Sequence, residues 1–176
     1  SSEEIAKESK IERNGLGFHK PGMWDKIVDV NKCHLQADPS NEIRNSIKAF
    51  AIEKGMSFFD SRAQEGFLRT LMIRNTLAGE IMVLIQFFEE RKEDIELLLS
   101  FIKTRFSKVT SLLYCINSKG NDSLYDQEIR CFSGNEYITE RLGDLQFRIT
   151  AKSFYQTNPK QASVLYAIAR DFAQLK

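Results

Sequence analysis

Residues 80–88 read Glu80-Ile81-Met82-Val83-Leu84-Ile85-Gln86-Phe87-Phe88, which is a nearly unbroken apolar run. Successive side chains of a β-strand point to opposite faces of the sheet, so this run places apolar groups on both faces. A strand of that kind is covered on both sides, as is typical of the interior of a sheet. The sequence therefore predicts a central strand here, with the rest of the chain packed around it.

The neighbouring segments supply further strands. Residues Phe67 to Arg74 predict a strand that joins the central one through a short turn ending at Gly79. Residues 15–30 mix glycine, proline and strand-forming residues, which predicts a hairpin or an extended pair. Later strands are expected at 111–117, 128–132, 145–149 and in a short piece near Tyr137.

Two amphipathic helices are expected among these strands. One opens at Asp38-Pro39, with the aspartate as cap, and ends at Gly55. The other covers 92–106 and carries acidic residues in its first turn, where they favour the helix dipole. The order of elements predicts an α+β fold, an antiparallel or mixed sheet with helices mainly on one face, ending in a C-terminal linker helix.

The last strand and the last helix are joined by Ser153-Phe154-Tyr155-Gln156-Thr157-Asn158-Pro159. Asn158 suits the N-cap and Pro159 the first helical position. The helix that follows has one apolar face. The joint brings together an amide, two aromatic rings and free backbone N–H groups. Either these groups hold a polar planar ligand, or the rings pack and the polar groups meet the hydrogen-bonding needs of the turn.

Composition limits the class of protein. The chain has 176 residues, enough for one domain with a core, and its net charge of +1 does not mark it as a nucleic-acid-binding protein. It has no apolar run long enough to span a membrane and no apolar signal segment at its start. Its three cysteines are widely spaced, which argues against a disulfide framework. We therefore expect a cytoplasmic protein without a membrane partner.

Some reactive or aromatic residues are interpreted as structural. Cys115 and Cys131 lie in apolar strands, so we expect both thiols to be buried packing groups rather than nucleophiles. Trp24 follows a Pro-Gly turn, and we expect it to pack against that turn rather than to stack on a base.

The segment 153–162, Ser-Phe-Tyr-Gln-Thr-Asn-Pro-Lys-Gln-Ala, resembles the Phe-Phe-Gln-Val-Asn-x-x-Gln-Ala signature of the RNA uracil-5-methyltransferases. These enzymes use S-adenosylmethionine to make 5-methyluridine in tRNA and in large-subunit ribosomal RNA. Further segments match the family in the same order, at 17–22, 27–33, 68–74 and 79–85. The resemblance covers nearly everything after about residue 15.

The resemblance implies that this chain is the central part of such an S-adenosylmethionine-dependent RNA methyltransferase. We expect a mobile lead-in at 1–14, a central α+β domain at 15–152, and a cofactor-contact turn and helix at 153–176 leading into a missing methyltransferase domain. The family's catalytic cysteine and glutamate lie in that missing domain. The fragment alone is therefore expected to be inactive, with RNA and the catalytic domain of the same longer polypeptide as its partners.

The resemblance also assigns individual residues. Gln156 falls on the family's glutamine that contacts S-adenosylmethionine, and an amide offers both a donor and an acceptor. Phe154 is expected near a flipped target base. His19 and Lys20 are further candidates for contacts with RNA, whether ribosomal or transfer RNA.

Cys33 matches a cysteine that, in some relatives, is the last ligand of an iron–sulfur cluster. Such clusters normally need four thiolates, and no other cysteine of this chain precedes Cys33. We therefore expect this chain to hold neither the cluster nor another metal.

A second interpretation stays open, in which the chain is a stand-alone, non-catalytic module that binds RNA or a protein. Its basic residues near the C-terminus, such as Arg141, Arg148 and Lys160, are either a contact for phosphates or an ordinary solvated face.

Overall fold

The computed structural model describes residues 14–174. Asn14 is thus the one described residue of the expected lead-in, and the rest of that segment lies outside the described residues. Along the described part, the elements are β1 (Gly17–Lys20), β2 (Met23–Asp29), α1 (Ser40–Glu53), β3 (Leu68–Asn75), β4 (Ile81–Phe87), α2 (Lys92–Arg105), β5 (Val109–Ile116), β6 (Arg130–Gly134), β7 (Tyr137–Leu142), β8 (Leu145–Thr150) and α3 (Pro159–Phe172).

The main sheet has the strand order β3-β4-β5-β6. β4 is antiparallel to β3 and parallel to β5, and β6 is antiparallel to β5. The parallel pair is possible because α2 carries the chain back between β4 and β5. β1 with β2, and β7 with β8, form two separate antiparallel pairs. The predicted mixed sheet in an α+β fold is therefore confirmed.

The predicted central strand is also confirmed, because every residue of β4 is buried. One of its faces packs against both α1 and α2, which places these helices on the same side of the sheet. The buried residues of this first core include Ile43 and Ile47 of α1, Val83, Ile85 and Phe87 of β4, and Leu98, Leu99 and Ile102 of α2.

The opposite face of β4 is covered by the β7–β8 hairpin. Met82 and Leu84 pack there, together with Leu113 of β5, against Ile138 and Ile149 of the hairpin. The hairpin therefore covers this face of β4, as the two helices cover the other face. The turn that precedes α3 lies at the margin of this second core.

The structure corrects the expected start of α1. Pro39 rather than Asp38 is the cap residue, and no side chain caps the helix. The N–H of Ser40 instead donates to the carbonyl of Ala37, so a backbone turn satisfies the first helical residue. Gly55 follows the helix with φ +66°, as expected of a residue that ends it.

Two packing predictions were wrong. The side chain of Trp24 is 65% exposed, because the β1–β2 pair is a separate small sheet that leaves this ring uncovered. Cys131 is exposed because it lies on β6, an edge strand of the main sheet. Cys115, on the interior strand β5, is buried as expected.

Candidate functional site

The candidate site is the turn between β8 and α3. β8 ends at Thr150 and α3 begins at Pro159. The first part of the turn is closed tightly, since the N–H of Ser153 donates to the carbonyl of Thr150 and the N–H of Thr150 donates to the hydroxyl of Ser153 at 3.1 Å. These two hydrogen bonds therefore fix Ser153 at the start of the connection.

Arg74, near the end of β3, attaches this turn to the main sheet. Its Nη1 donates to the carbonyl oxygen of Ser153 at 2.7 Å and lies 3.5 Å from that of Thr150. Its Nε is 3.2 Å from the sulfur of Met72. Burial lowers the pKa of the Arg74 guanidinium. Arginine side chains nevertheless stay charged in proteins. A charged donor on a main-chain carbonyl makes a strong link.

Tyr155 anchors the middle of the turn. Its ring packs against the second core and lies 6.1 Å from the ring of Phe147 on β8. Burial, with a further contribution from nearby Glu140, raises the pKa of the Tyr155 hydroxyl. The preceding ring, that of Phe154, is 86% exposed. The turn therefore directs one ring inward and the other into solvent.

Gln156 follows these two rings and is half-buried. Within residues 14–174 its side-chain amide makes no hydrogen bond, so donor and acceptor are both available to a ligand. Two residues later, the side-chain oxygen of Asn158 accepts a hydrogen bond from the N–H of Gln161 at 3.1 Å. The predicted cap is thereby confirmed, and it sets the direction in which α3 leaves the turn.

The predicted apolar face of α3 is present but largely uncovered. Ala162 is the buried residue of the helix among those described. Its large apolar side chains are exposed, namely those of Val164, Leu165, Tyr166, Ile168 and Phe172. A helix face of this composition is normally packed against another element.

The structure separates the expected site residues into two places. Gln156 and Phe154 share the turn, whereas His19 and Lys20 lie on β1, in a different sheet. Both β1 residues are exposed. The assignments of all four residues stay predictions.

A cavity of about 660 Å³, which no sequence pattern predicted directly, lies between the β1–β2 pair and β3. Arg69 of β3 lies on its wall and donates to the carbonyls of Asn117 at 2.8 Å and Lys119 at 2.5 Å. The rings of Phe59 and Phe88 flank its guanidinium at 4.6 and 5.8 Å. The one signal in the sequence was the segment 68–74, which contains both Arg69 and Arg74.

The three cysteines lie in different surroundings. Burial raises the pKa of the Cys115 thiol to about 11, so it is protonated at neutral pH. Cys33 is partly buried, and its backbone N–H and carbonyl bond the side chain of Asn41 at 2.8 and 3.1 Å. Between residues 14 and 174, no three His, Cys, Asp or Glu side chains are grouped so as to hold a metal ion.

None of the helices between residues 14 and 174 is both long and apolar enough to cross a bilayer.

No family model matches this chain. An uncharacterised RNA methyltransferase of Porphyromonas gingivalis is 52% identical over 165 residues, covering 93% of this chain and 36% of the relative. The tRNA (uracil(54)-C(5))-methyltransferase of Pyrococcus abyssi is 33% identical over 153 residues, covering 86% of this chain and 36% of that enzyme. The chain thus spans little more than a third of the length of these relatives.

The fold agrees with the sequence comparison. The crystal structure of the Pyrococcus abyssi tRNA (uracil-54, C5)-methyltransferase in complex with S-adenosyl-L-homocysteine matches with a TM-score of 0.72 and 31% identity. The match covers 90% of this chain and 38% of that one. The resemblance found in the sequence is thereby confirmed, and the chain is a relative of the RNA uracil-5-methyltransferases in both sequence and fold.

Proposed function

We propose that this chain is part of an enzyme that transfers a methyl group from S-adenosylmethionine to carbon 5 of a uridine in ribosomal or transfer RNA. The observation that carries the proposal is the turn at 153–158. It carries Gln156 two residues after an exposed aromatic ring, and Arg74 ties the turn to the sheet. The similarity to a tRNA (uracil-54, C5)-methyltransferase whose crystal structure contains S-adenosyl-L-homocysteine supports the same proposal.

The chemistry of the turn fits the proposed cofactor. S-adenosylmethionine carries ammonium, carboxylate and nucleoside groups, and when bound it supplies an electrophilic methyl group. The amide of Gln156 can donate to an oxygen of the cofactor and accept from a nitrogen or hydroxyl. Because Arg74 and Tyr155 hold the backbone of the turn, only the side chain of Gln156 has to be ordered when the cofactor binds.

The exposed ring of Phe154 fits a contact with RNA. Enzymes that modify a base inside folded RNA extrude it and stack it on apolar or aromatic groups. Phe154 is two residues before Gln156, so a base stacked on its ring would lie close to the cofactor contact. His19 and Lys20, on the separate hairpin, would extend the RNA surface away from the turn.

The apolar face of α3 fits a contact with a catalytic domain of the same longer polypeptide. That face is uncovered within residues 14–174, and it begins directly after the Gln156 turn. Packing of the catalytic domain there would form the opposite wall of the cofactor pocket. In this proposal the domain supplies the nucleophile and the base, so the 176-residue chain alone is inactive, and the whole protein acts in the cytoplasm.

The test is to purify the full-length protein and the 176-residue chain and to incubate each with RNA and S-adenosylmethionine. Nucleoside mass spectrometry should detect 5-methyluridine with the full-length protein only. Methylation by the short chain would contradict the assignment of catalysis to another domain. Salt-dependent RNA binding without methylation by either protein would favour the non-catalytic module instead.

A further inference from the structure

The strands β1 and β3 border the cavity. Each has an edge that pairs with no other described strand. β1 pairs with β2 alone, and β3 pairs with β4. At the start of β3, Leu68 bonds Ser57 and Phe59 through its backbone. Beyond that residue, no strand of the described chain lies on the outer edge of β3. Unpaired backbone groups along a strand edge favour pairing with another strand.

The floor of the cavity is apolar and belongs to the first core. Ile47 of α1, Ile85 of β4 and Leu71 of β3 line it, and all three pack in that core. Across the opening, Phe18 and Ile27 of the hairpin also line the cavity and are partly exposed. Apolar side chains that entered the cavity would extend the first core towards the β1–β2 hairpin.

The lining does not suit a phosphate group. Arg69 is the one lysine or arginine among the described lining residues, and its guanidinium is already held by two carbonyls and two aromatic rings. The acidic side chain of Asp122 also lines the cavity. A nucleotide would therefore bring its charge to a cavity whose described lining, apart from His19, offers no unengaged basic side chain, whereas a peptide backbone would bring the N–H and carbonyl groups that the two edges need.

We propose that an extended segment from another part of the longer polypeptide lies in this cavity and pairs with the free edges of β1 and β3. The inference rests on the proposed function, since it requires the longer protein. Such a strand would join the β1–β2 pair to the main sheet and would place alternate apolar side chains on Ile47, Leu71 and Ile85. The relatives extend well beyond the stretch that they share with this chain, so a segment of strand length is available to them.

Hydrogen–deuterium exchange with single-amide resolution tests this pairing. In the 176-residue chain, the outward amides of β1 and of β3 beyond Leu68 should exchange rapidly. In the full-length protein without RNA, they should exchange at least about tenfold more slowly because they are bonded. The amides of β4 are the control and should be slow in both proteins. Equally rapid exchange of the edge amides in both proteins would overturn the proposal.

A second measurement identifies the occupant. The photo-crosslinking residue p-benzoylphenylalanine replaces Thr70, which lines the cavity, in the full-length protein. The same residue in place of the exposed Leu97 on α2 is the control. A cross-link from position 70 to a segment outside residues 14–174 supports the strand. A cross-link to RNA, or protection that appears only with RNA, overturns it. If the full-length protein still methylated RNA in that case, the proposed function would hold although the strand proposal had failed.

Discussion

The guanidinium of Arg74 donates a hydrogen bond of 2.7 Å to the main-chain carbonyl of Ser153, although the two residues are 79 positions apart. This bond connects the end of β3 to the turn that carries Phe154 and Gln156. The placement of the proposed cofactor contact therefore depends on a strand from the first half of the chain.

Replacing Arg74 with methionine in the full-length protein should weaken binding of S-adenosylmethionine about three- to tenfold. The variant keeps an apolar stem but loses the donors, so the turn becomes less ordered. Isothermal titration calorimetry measures the Kd, and the Arg74→Lys variant, which keeps one charged donor, should recover part of the affinity. Arg141→Met, on the exposed position 141 of β7, is the control. A lower Tm with an unchanged Kd would show that Arg74 has a structural role only.

Gln156→Ala tests the cofactor contact directly. Because a truncated amide can no longer pair with a polar group of the cofactor, we expect a loss of about 1–2 kcal/mol, or roughly five- to thirtyfold in Kd. The Tm should change little, since the amide makes no hydrogen bond within residues 14–174. Gln161→Ala, at an exposed position of α3, is a matched control. Equal affinity of the Gln156 variant and the wild type would remove the assignment.

Phe154→Ala should reduce kcat/KM for RNA by about tenfold or more, because stacking of a base on an aromatic ring contributes about 1–3 kcal/mol. The affinity for S-adenosylmethionine should stay the same. Tyr125→Ala is the control, since Tyr125 is 85% exposed and Phe154 is 86% exposed. If both variants methylate RNA as fast as the wild type, Phe154 does not contact the target base.

Leu84→Ala should lower the free energy of unfolding by about 2–5 kcal/mol, because Leu84 is fully buried between β4 and the β7–β8 hairpin. Urea denaturation followed by circular dichroism measures the change. Leu97→Ala, at an exposed position of α2, should cost no more than about 0.5 kcal/mol. Comparable losses in the two variants would contradict the central position of β4.

The cysteines should differ in their reaction with iodoacetamide. The pKa of Cys115 is raised to about 11, so its thiolate is scarce below that pH, and burial also blocks access. The pKa of Cys131 is raised as well, but its side chain is exposed. Mass spectrometry at pH 8 should therefore find Cys131 alkylated well before Cys115. Equal rates at the two positions would show that β5 opens readily.

Local patterns in the sequence determined the elements of this protein. Apolar residues on both faces of 80–88 predicted a buried strand, and Asn158 with Pro159 predicted the start of α3, because strand periodicity and helix capping depend on neighbouring residues. The resemblance at 153–162 pointed to Gln156 in the same local way. Trp24 and Cys131 were predicted wrongly, since an apolar residue type does not reveal whether another element covers it.

Tertiary structure alone decided which distant segments meet. The parallel pairing of β4 with β5, the hairpin over the second face of β4, and the bond from Arg74 to Ser153 each join residues far apart in the chain. The same holds for the cavity between β1 and β3. Such contacts depend on the packing of whole elements and on the backbone groups left at their edges, which no short stretch of sequence encodes.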